Sequence, residues 1–230
     1  MLGLAFSGGK DSLACWYLSK AEKPIVFWVN TGKAYPETLE IVEEVRREAS
    51  EFVEVNSDQQ SQNDLWGIPS DLVPINNTTL GMVFTGQKPV KVQSYLGCCY
   101  ENISGPLAQA VKEKRITKLI RGQRLQESHK ATSRNGDIVL GVEYLHPIET
   151  WTSEDVLNYL LERRGSLPDH YHIAHSSLDC YDCTAFVQES KDRVEWTRNK
   201  HPAFYSAYAK RMDALKSVLL PNLRLLENHA

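Results

Sequence analysis

Ser7-Gly8-Gly9-Lys10-Asp11-Ser12 follows directly on the apolar run Leu2-Gly3-Leu4-Ala5-Phe6. A short apolar run, a Gly-rich turn and then a helical pattern through Leu13, Trp16, Tyr17 and Ala21 predict strand, loop and helix. The loop therefore sits on a helix N-terminus, where unpaired N–H groups and the helix dipole favour anions. Gly8 and Gly9 let the backbone wrap a ligand with no Cβ in the way. Ser7 and Ser12 add hydroxyls, Lys10 a mobile charge, and Asp11 a ligand for Mg²⁺ or water. An ordinary Gly-Gly turn would explain the glycines alone, but not six consecutive residues of this type in this setting. The stretch reads as a phosphate cradle.

Working outward, residues 24–29 predict a second buried strand, ending at Asn30-Thr31-Gly32. Residues 36–49 predict an amphipathic helix with Leu39, Val42 and Val45 on its inner face and Pro36 in its first turn. Residues 52–55 predict a third strand. Strands and helices alternating at this spacing imply a parallel sheet with right-handed crossovers and ligands at the carboxyl ends of the strands. The fold class expected is α/β, a Rossmann-like parallel sheet flanked by helices, over 1–187, with a helical C-terminal extension over 188–230 packed on it. Residues 56–94, rich in Gln, Asn and Ser, predict a long excursion holding one short helix or strand. A helix is expected from about Cys99 to Lys114, a strand at 118–121, a β pair at 138–145, and a helix capped by Thr152 with Asp155. The region from about 188 onward predicts helix broken near Pro202 and Pro221.

The chain has 230 residues, 42% hydrophobic and 24% charged, the composition of a soluble globular protein. A formal net charge of −3 gives no global polyanion signature, so any such site must be local. No apolar run is long enough for a signal peptide core or a membrane span, so a cytoplasmic protein with no membrane partner is expected. Four of the five cysteines fall in two tight pairs, Cys98-Cys99 and Cys180/Cys183, which in a reducing compartment favours metal or redox chemistry over disulfides. Cys15, on the first helix, reads as core.

The loop is not a Walker loop, which needs four residues between its first Gly and its Gly-Lys. It resembles the S-G-G-x-D-S PP-loop of the ATP pyrophosphatase superfamily. Three further stretches resemble the sulfonucleotide-reductase branch of that superfamily. These are Asn30-Thr31-Gly32-Lys33-Ala34-Tyr35-Pro36-Glu37-Thr38, then Gly122-Gln123-Arg124 with Glu127-Ser128, then Pro147-Ile148 through Trp151-Thr152 to Asp155-Val156. The resemblance implies an adenine-nucleotide site, with Asn30, Thr31, Gly32 and Gly122 close to the nucleotide and Arg124 clamping a phosphate or sulfate. Lys10, Asp11 and Arg124 are the catalytic candidates.

Cys98-Cys99 with Cys180-Tyr181-Asp182-Cys183 resembles the C-C…C-x-x-C ligand set with which assimilatory adenylyl-sulfate reductases hold a 4Fe–4S cluster. Adjacent side chains on a helix diverge by about 100°, awkward for one tetrahedral Zn²⁺ and easier where each thiolate takes its own iron. Zinc is the second candidate for these thiols. Two features depart from the reductases. Their catalytic thiol lies in an E-C-G-[IL]-H tail, whereas no Cys follows Cys183 here, and their PP-loop is usually degenerate, whereas this one is intact. Both point to true ATP cleavage by adenylation of a substrate, as in the iron–sulfur ATP pyrophosphatases of nucleic-acid thiolation and phosphorothioation. On that reading ATP and Mg²⁺ are bound, and sulfur comes from a donor protein or an external thiol.

Two other readings stand beside it. One is an adenylyl- or phosphoadenylyl-sulfate reductase, with a sulfonucleotide as ligand and a thiol supplied by a partner. The other is a nucleotide-binding redox sensor. The segment from Arg193 to Arg211 interleaves basic and aromatic residues and could face a nucleic-acid acceptor. Val194, Trp196, Phe204 and Tyr208 at near-helical spacing fit a packing face better. Of His170, His172 and His175, at most one is expected to act chemically.

Overall fold

The protein is represented by a computed structural model that describes residues 1–86, 91–126, 133–174, 177–178 and 180–227. Strand β1 (Leu2–Phe6) turns through the Gly-rich loop into α1 (Lys10–Ser19). Strand β2 (Ile25–Asn30), helix α2 (Pro36–Glu48) and strand β3 (Phe52–Asn56) follow as the sequence pattern predicts, with Pro36 opening α2; Ile41, Val42 and Val45 are buried, while Leu39, expected on the inner face, is exposed.

The excursion after β3 holds more than one element: α3 (Gln59–Trp66), β4 (Ile68–Ser70), α4 (Thr79–Thr85) and β5 (Val92–Ser94). Strands β4 and β5 form a separate parallel pair. Amides rather than apolar periodicity hold this region. Gln62 and Gln93 donate to one another at 2.7 and 3.0 Å, and Gln93 also donates to Asn63 at 3.0 Å. The Asp58 carboxylate caps α3 by accepting the Ser61 N–H.

The cysteine-bearing helix begins earlier than expected, as α5 (Tyr95–Cys99) capped by Ser94. A π-helical stretch at Tyr100–Ser104 leads into α6 (Gly105–Glu113). Then come β6 (Lys118–Arg121) and the expected hairpin of β7 (Ile138–Val139) and β8 (Val142–Leu145). Helix α7 (Ser153–Arg164) carries a full capping box between Thr152 and Asp155. The chain closes with α8 (Lys191–Lys200) and α9 (Pro202–Glu227). Pro202 does separate two helices, but Pro221 lies inside α9 and does not end it. The carbonyl that Pro221 leaves without a donor belongs to exposed Ser217, where solvent satisfies it.

The main sheet has the order β3-β2-β1-β6-β8-β7, parallel except for edge strand β7. Alternation along β1 and β2 splits the core into two layers. Leu4, Phe6, Val26 and Trp28 pack with Leu13, Val42 and Val156 of α1, α2 and α7. Ile25 and Phe27 pack with Ala110 and Val111 of α6 on the other face. Each such side chain removed from water stabilises the fold by about 1.5–3 kcal/mol. Among the described residues no helix is long and apolar enough to cross a membrane.

β1 connects onward to β2 on one side, while β6 lies on its other side, so the strand order reverses between β1 and β6. A crevice opens at that point beyond the carboxyl ends of the strands. Gly122, just after β6, lets the two lips approach closely. A Cβ there would lie 2.6 Å from the Asp11 carbonyl carbon and 2.7 Å from the Ser12 nitrogen, both backbone atoms. Gly122→Ala is therefore expected to lower stability by about 1–3 kcal/mol, as overpacking does, in urea unfolding. An unchanged unfolding midpoint would contradict this packing.

Candidate functional site

The loop between β1 and α1 is tied to itself. Ser12 Oγ accepts from the Ser7 N–H at 3.2 Å and donates to the Gly9 carbonyl at 2.9 Å, and the two hydroxyls lie 3.1 Å apart. Gly8 has a φ of +81°, and a Cβ on it would lie 2.6 Å from Thr38 Cγ2. Both facts restrict that position to glycine. The backbone N–H of Lys10 donates to the Tyr171 hydroxyl at 2.6 Å. Tyr171 belongs to the 3₁₀ turn Asp169–His172, which anchors the later loop over the helix start.

The charges at this helix start form a buried triad. Lys10 Nζ lies 2.7 Å from Asp11 Oδ2, and Arg124 Nε lies 2.6 Å from Asp11 Oδ1. Lys10 is 3% exposed and Arg124 7%, so Lys10 is not the mobile surface charge the sequence suggests. Both oxygens of Asp11 are engaged by cations, so its carboxylate does not stand free for Mg²⁺. His170, beside Tyr171, is buried, and burial lowers its pKa to about 4, so it stays neutral and serves packing against Tyr171 and Trp196. His172 is exposed. His175, Glu127 and Ser128 lie outside the described residues.

A cavity of about 450 Å³ opens beside the loop. Ser7, Asp11 and Ser12 line one part of it, Thr31 and Gly122 another, and Cys98, Cys99, Cys180 and Cys183 a third. The structure thus brings together nine of the residues singled out from sequence. Gly8, Gly9, Lys10, Asn30, Gly32 and Arg124 are not among the residues lining it. Asn30 instead shapes its turn, accepting the Gly32 N–H at 2.9 Å and donating to Glu54 at 2.8 Å. Lys10 and Arg124 act on the cavity through Asp11.

Among the described residues no group of three His, Cys, Asp or Glu side chains could hold a single metal ion. The four thiols border one cavity, the donor set of a polynuclear thiolate-ligated group, and amide donors approach their sulfurs. Gln59 Nε2 lies 3.3 Å from Cys180 Sγ and 3.8 Å from Cys98 Sγ. Asn102 Nδ2 lies 3.7 Å from Cys98 Sγ, and Thr31 Oγ1 lies 3.6 Å from Cys180 Sγ. In that chemistry the residues fit a thiolate-bound cluster. Burial, then neighbouring Cys180, pushes the Cys98 thiol up, while Arg211, Asn102 and Gln59 pull it down. Cys15 is core, its thiol pushed up to about 12 chiefly by burial.

Several residues that hold this site carried no sequence signal of their own. Arg193 donates to the carbonyls of Cys180 and Cys183 at 3.3 and 3.1 Å. Asp182, between the two cysteines, is buried and pairs with Lys33 at 3.1 Å and Arg211 at 2.7 Å. Its negative charge is more than matched by these two cations. Of the basic and aromatic residues of α8 and α9, Arg193 and Arg211 turn toward this loop and Trp196 and Phe204 pack in a small core around Tyr35, whereas Arg198, Lys200 and Lys210 are exposed. The mixed pattern in that tail was the one signal that could have pointed to Arg193 and Arg211.

With this geometry in place, comparison with known proteins gives three concordant findings. The sequence profile of the phosphoadenosine phosphosulfate reductase domain matches residues 2–186. An adenosine 5′-phosphosulfate reductase of Burkholderia cepacia is 23% identical over 178 residues. That match covers 76% of this chain and 65% of the relative's length. The crystal structure of a phosphoadenylyl-sulfate reductase from Candida auris, in complex with phosphate, superposes with a TM-score of 0.54 at 14% identity. It covers 80% of this chain and 82% of that one, a likeness of fold.

Replacing Asp11 by Asn would remove the carboxylate that both buried cations share. Asp11→Asn is expected to destabilise the protein by roughly 3–5 kcal/mol, the cost of removing one partner from a buried ion pair. The midpoint of denaturant unfolding measures it, and a variant as stable as the parent would contradict the triad.

Proposed function

The chain belongs to the phosphoadenosine phosphosulfate reductase domain family, and from that premise we propose that it binds ATP at Ser7–Ser12 and cleaves it between the α and β phosphates. A substrate oxygen attacks the α-phosphorus as the bridging bond to the β-phosphate breaks. The substrate is adenylated and pyrophosphate leaves. The reaction class is sulfur transfer, the adenylated position being the one that sulfur replaces. The observation that carries this reading is the placing of an intact phosphate loop and four thiols around one cavity.

Each residue has a part that follows from its surroundings. Backbone N–H groups at the α1 N-terminus, apart from that of Lys10, which Tyr171 holds, receive the phosphates, with the dipole behind them. Lys10 and Arg124 outweigh Asp11 by one charge and oppose the negative charge that grows on the departing pyrophosphate. Thr31 and Gly122, lining the cavity at the ends of β2 and β6, bound the nucleoside side. Cys98, Cys99, Cys180 and Cys183 would hold the cluster, with Arg193 and Gln59 fixing where those thiols stand. Bound there, a 4Fe–4S cluster would supply an iron–sulfur centre beside the activated position.

A second reading, reduction of a sulfonucleotide with a thiol from a partner protein, is favoured by the Burkholderia cepacia relative. Product analysis separates the two. The purified chain with ATP, Mg²⁺ and candidate tRNA or DNA acceptors is expected to release pyrophosphate. Lys10→Ala, which removes a cation from the triad behind the loop rather than a contact to the nucleotide, is expected to weaken ATP binding several-fold, as read by calorimetric titration. Sulfite released from adenosine 5′-phosphosulfate, with no pyrophosphate from ATP, would overturn the first reading in favour of the second.

A further inference from the structure

We propose that Gln59 is a positioning residue that joins the two halves of the thiol set and sets the electronic character of a cluster bound there. The inference rests on the reading of Cys98, Cys99, Cys180 and Cys183 as a cluster ligand set. Cys98 and Cys99 stand on α5, whereas Cys180 and Cys183 lie in a loop that α8 and α9 hold in place. Gln59 belongs to neither part. It is the first residue of α3, fixed at its N-cap by Asp58. From there its single amide nitrogen reaches a sulfur of each half, Cys180 at 3.3 Å and Cys98 at 3.8 Å. The nitrogen carries two hydrogens, one for each sulfur.

The surroundings fix which way the amide faces. Gln59 is buried and lines the cavity, and its Oε1 is buried with no hydrogen-bond partner. A buried carbonyl left unpaired is costly, and turning the amide over would set that oxygen against the sulfurs. The arrangement makes sense where the sulfurs are thiolates, which accept charge-assisted hydrogen bonds. Asn102 adds a further amide toward Cys98 at 3.7 Å, while on another side the metal-free Cys98 thiol lies 3.5 Å from Asn63 Oδ1, a contact that a bound cluster would replace. Donors to ligand sulfurs orient the ligands and stabilise the more negative, reduced state of a cluster, which raises its reduction potential. A neutral amide does this without adding charge to a cavity that must also admit a nucleotide.

The test compares the parent protein with Gln59→Leu and Gln59→Glu, all reconstituted anaerobically with iron and sulfide. Circular dichroism and thermal melting of the metal-free proteins establish that each is folded. Leu fills the buried volume without a donor, and Glu keeps the shape but replaces the donor with a carboxylate. The expected result is that Gln59→Leu releases iron to a chelator about 10- to 100-fold faster than the parent, the usual effect of losing a partner behind a metal ligand. Its reduction potential should also fall, and that of Gln59→Glu should fall further. A role confined to packing would leave the potential unmoved. The proposal is overturned if the folded variants match the parent in potential, whatever their rate of iron release. If the parent itself takes up no iron, the cluster reading fails and this role with it. Iron uptake by the parent with unchanged variants removes only Gln59.

Discussion

Asp11 lies between Lys10 at 2.7 Å and Arg124 at 2.6 Å, with all three side chains buried. Lys10 and Asp11 begin α1, and Arg124 comes three residues after β6, so the triad spans the crevice where the strand order reverses. It is an electrostatic tie across the proposed nucleotide site. Such a buried cluster adds little net stability over an apolar one, because desolvation offsets the attraction. Its contribution is positional. It holds the phosphate loop against Gly122, where the backbones approach too closely for any side chain. It also sets two cations behind the loop, where a polyphosphate would lie.

The opposite part of the cavity is built by convergence from distant segments. Helix α5 brings Cys98 and Cys99, and the later loop brings Cys180 and Cys183. Arg193 from α8 fixes that loop through two carbonyls, while Arg211 from α9 and Lys33 from the turn after β2 hold Asp182. The C-terminal helices are thus part of the thiol site. Lys33 also follows directly on the Thr31-Gly32 turn, and Thr31 Oγ1 lies 3.6 Å from Cys180 Sγ. A displacement of the nucleotide turn therefore reaches the thiols through covalent neighbours and one short contact.

The parts of the fold legible in the sequence are those with strong local signals. The run Leu2–Phe6 followed by two glycines, Pro36 before an amphipathic pattern, and Thr152 three residues ahead of Asp155 each specify an element and its start. The region from Asn56 to Ser94 was not legible, because Gln59, Gln62, Asn63 and Gln93 do their work through amide hydrogen bonds that leave no apolar period. For the same reason nothing in the sequence singled out Gln59. The cysteine-bearing helix begins at Tyr95, capped by Ser94, rather than at Cys99, since a serine cap outweighs the pattern that resumes later. Lys10 read as a free charge because a sequence does not show that Arg124, more than a hundred residues on, competes with it for Asp11. Pro221 read as a break because an exposed helix tolerates a lost hydrogen bond that a buried one would not.

The central claim is that a nucleotide bound at Ser7–Ser12 lies in the same cavity as the four thiols. Alkylation of the metal-free, reduced protein, with each cysteine followed by peptide mass analysis, tests it most directly. A non-hydrolysable ATP analogue is expected to slow modification of Cys98, Cys99, Cys180 and Cys183, because the nucleotide closes the route to them. Cys15, buried and with its thiol pushed up to about 12, should react slowly whether or not the analogue is present. An analogue that binds measurably and leaves the four cavity cysteines reacting at their original rates would contradict the account.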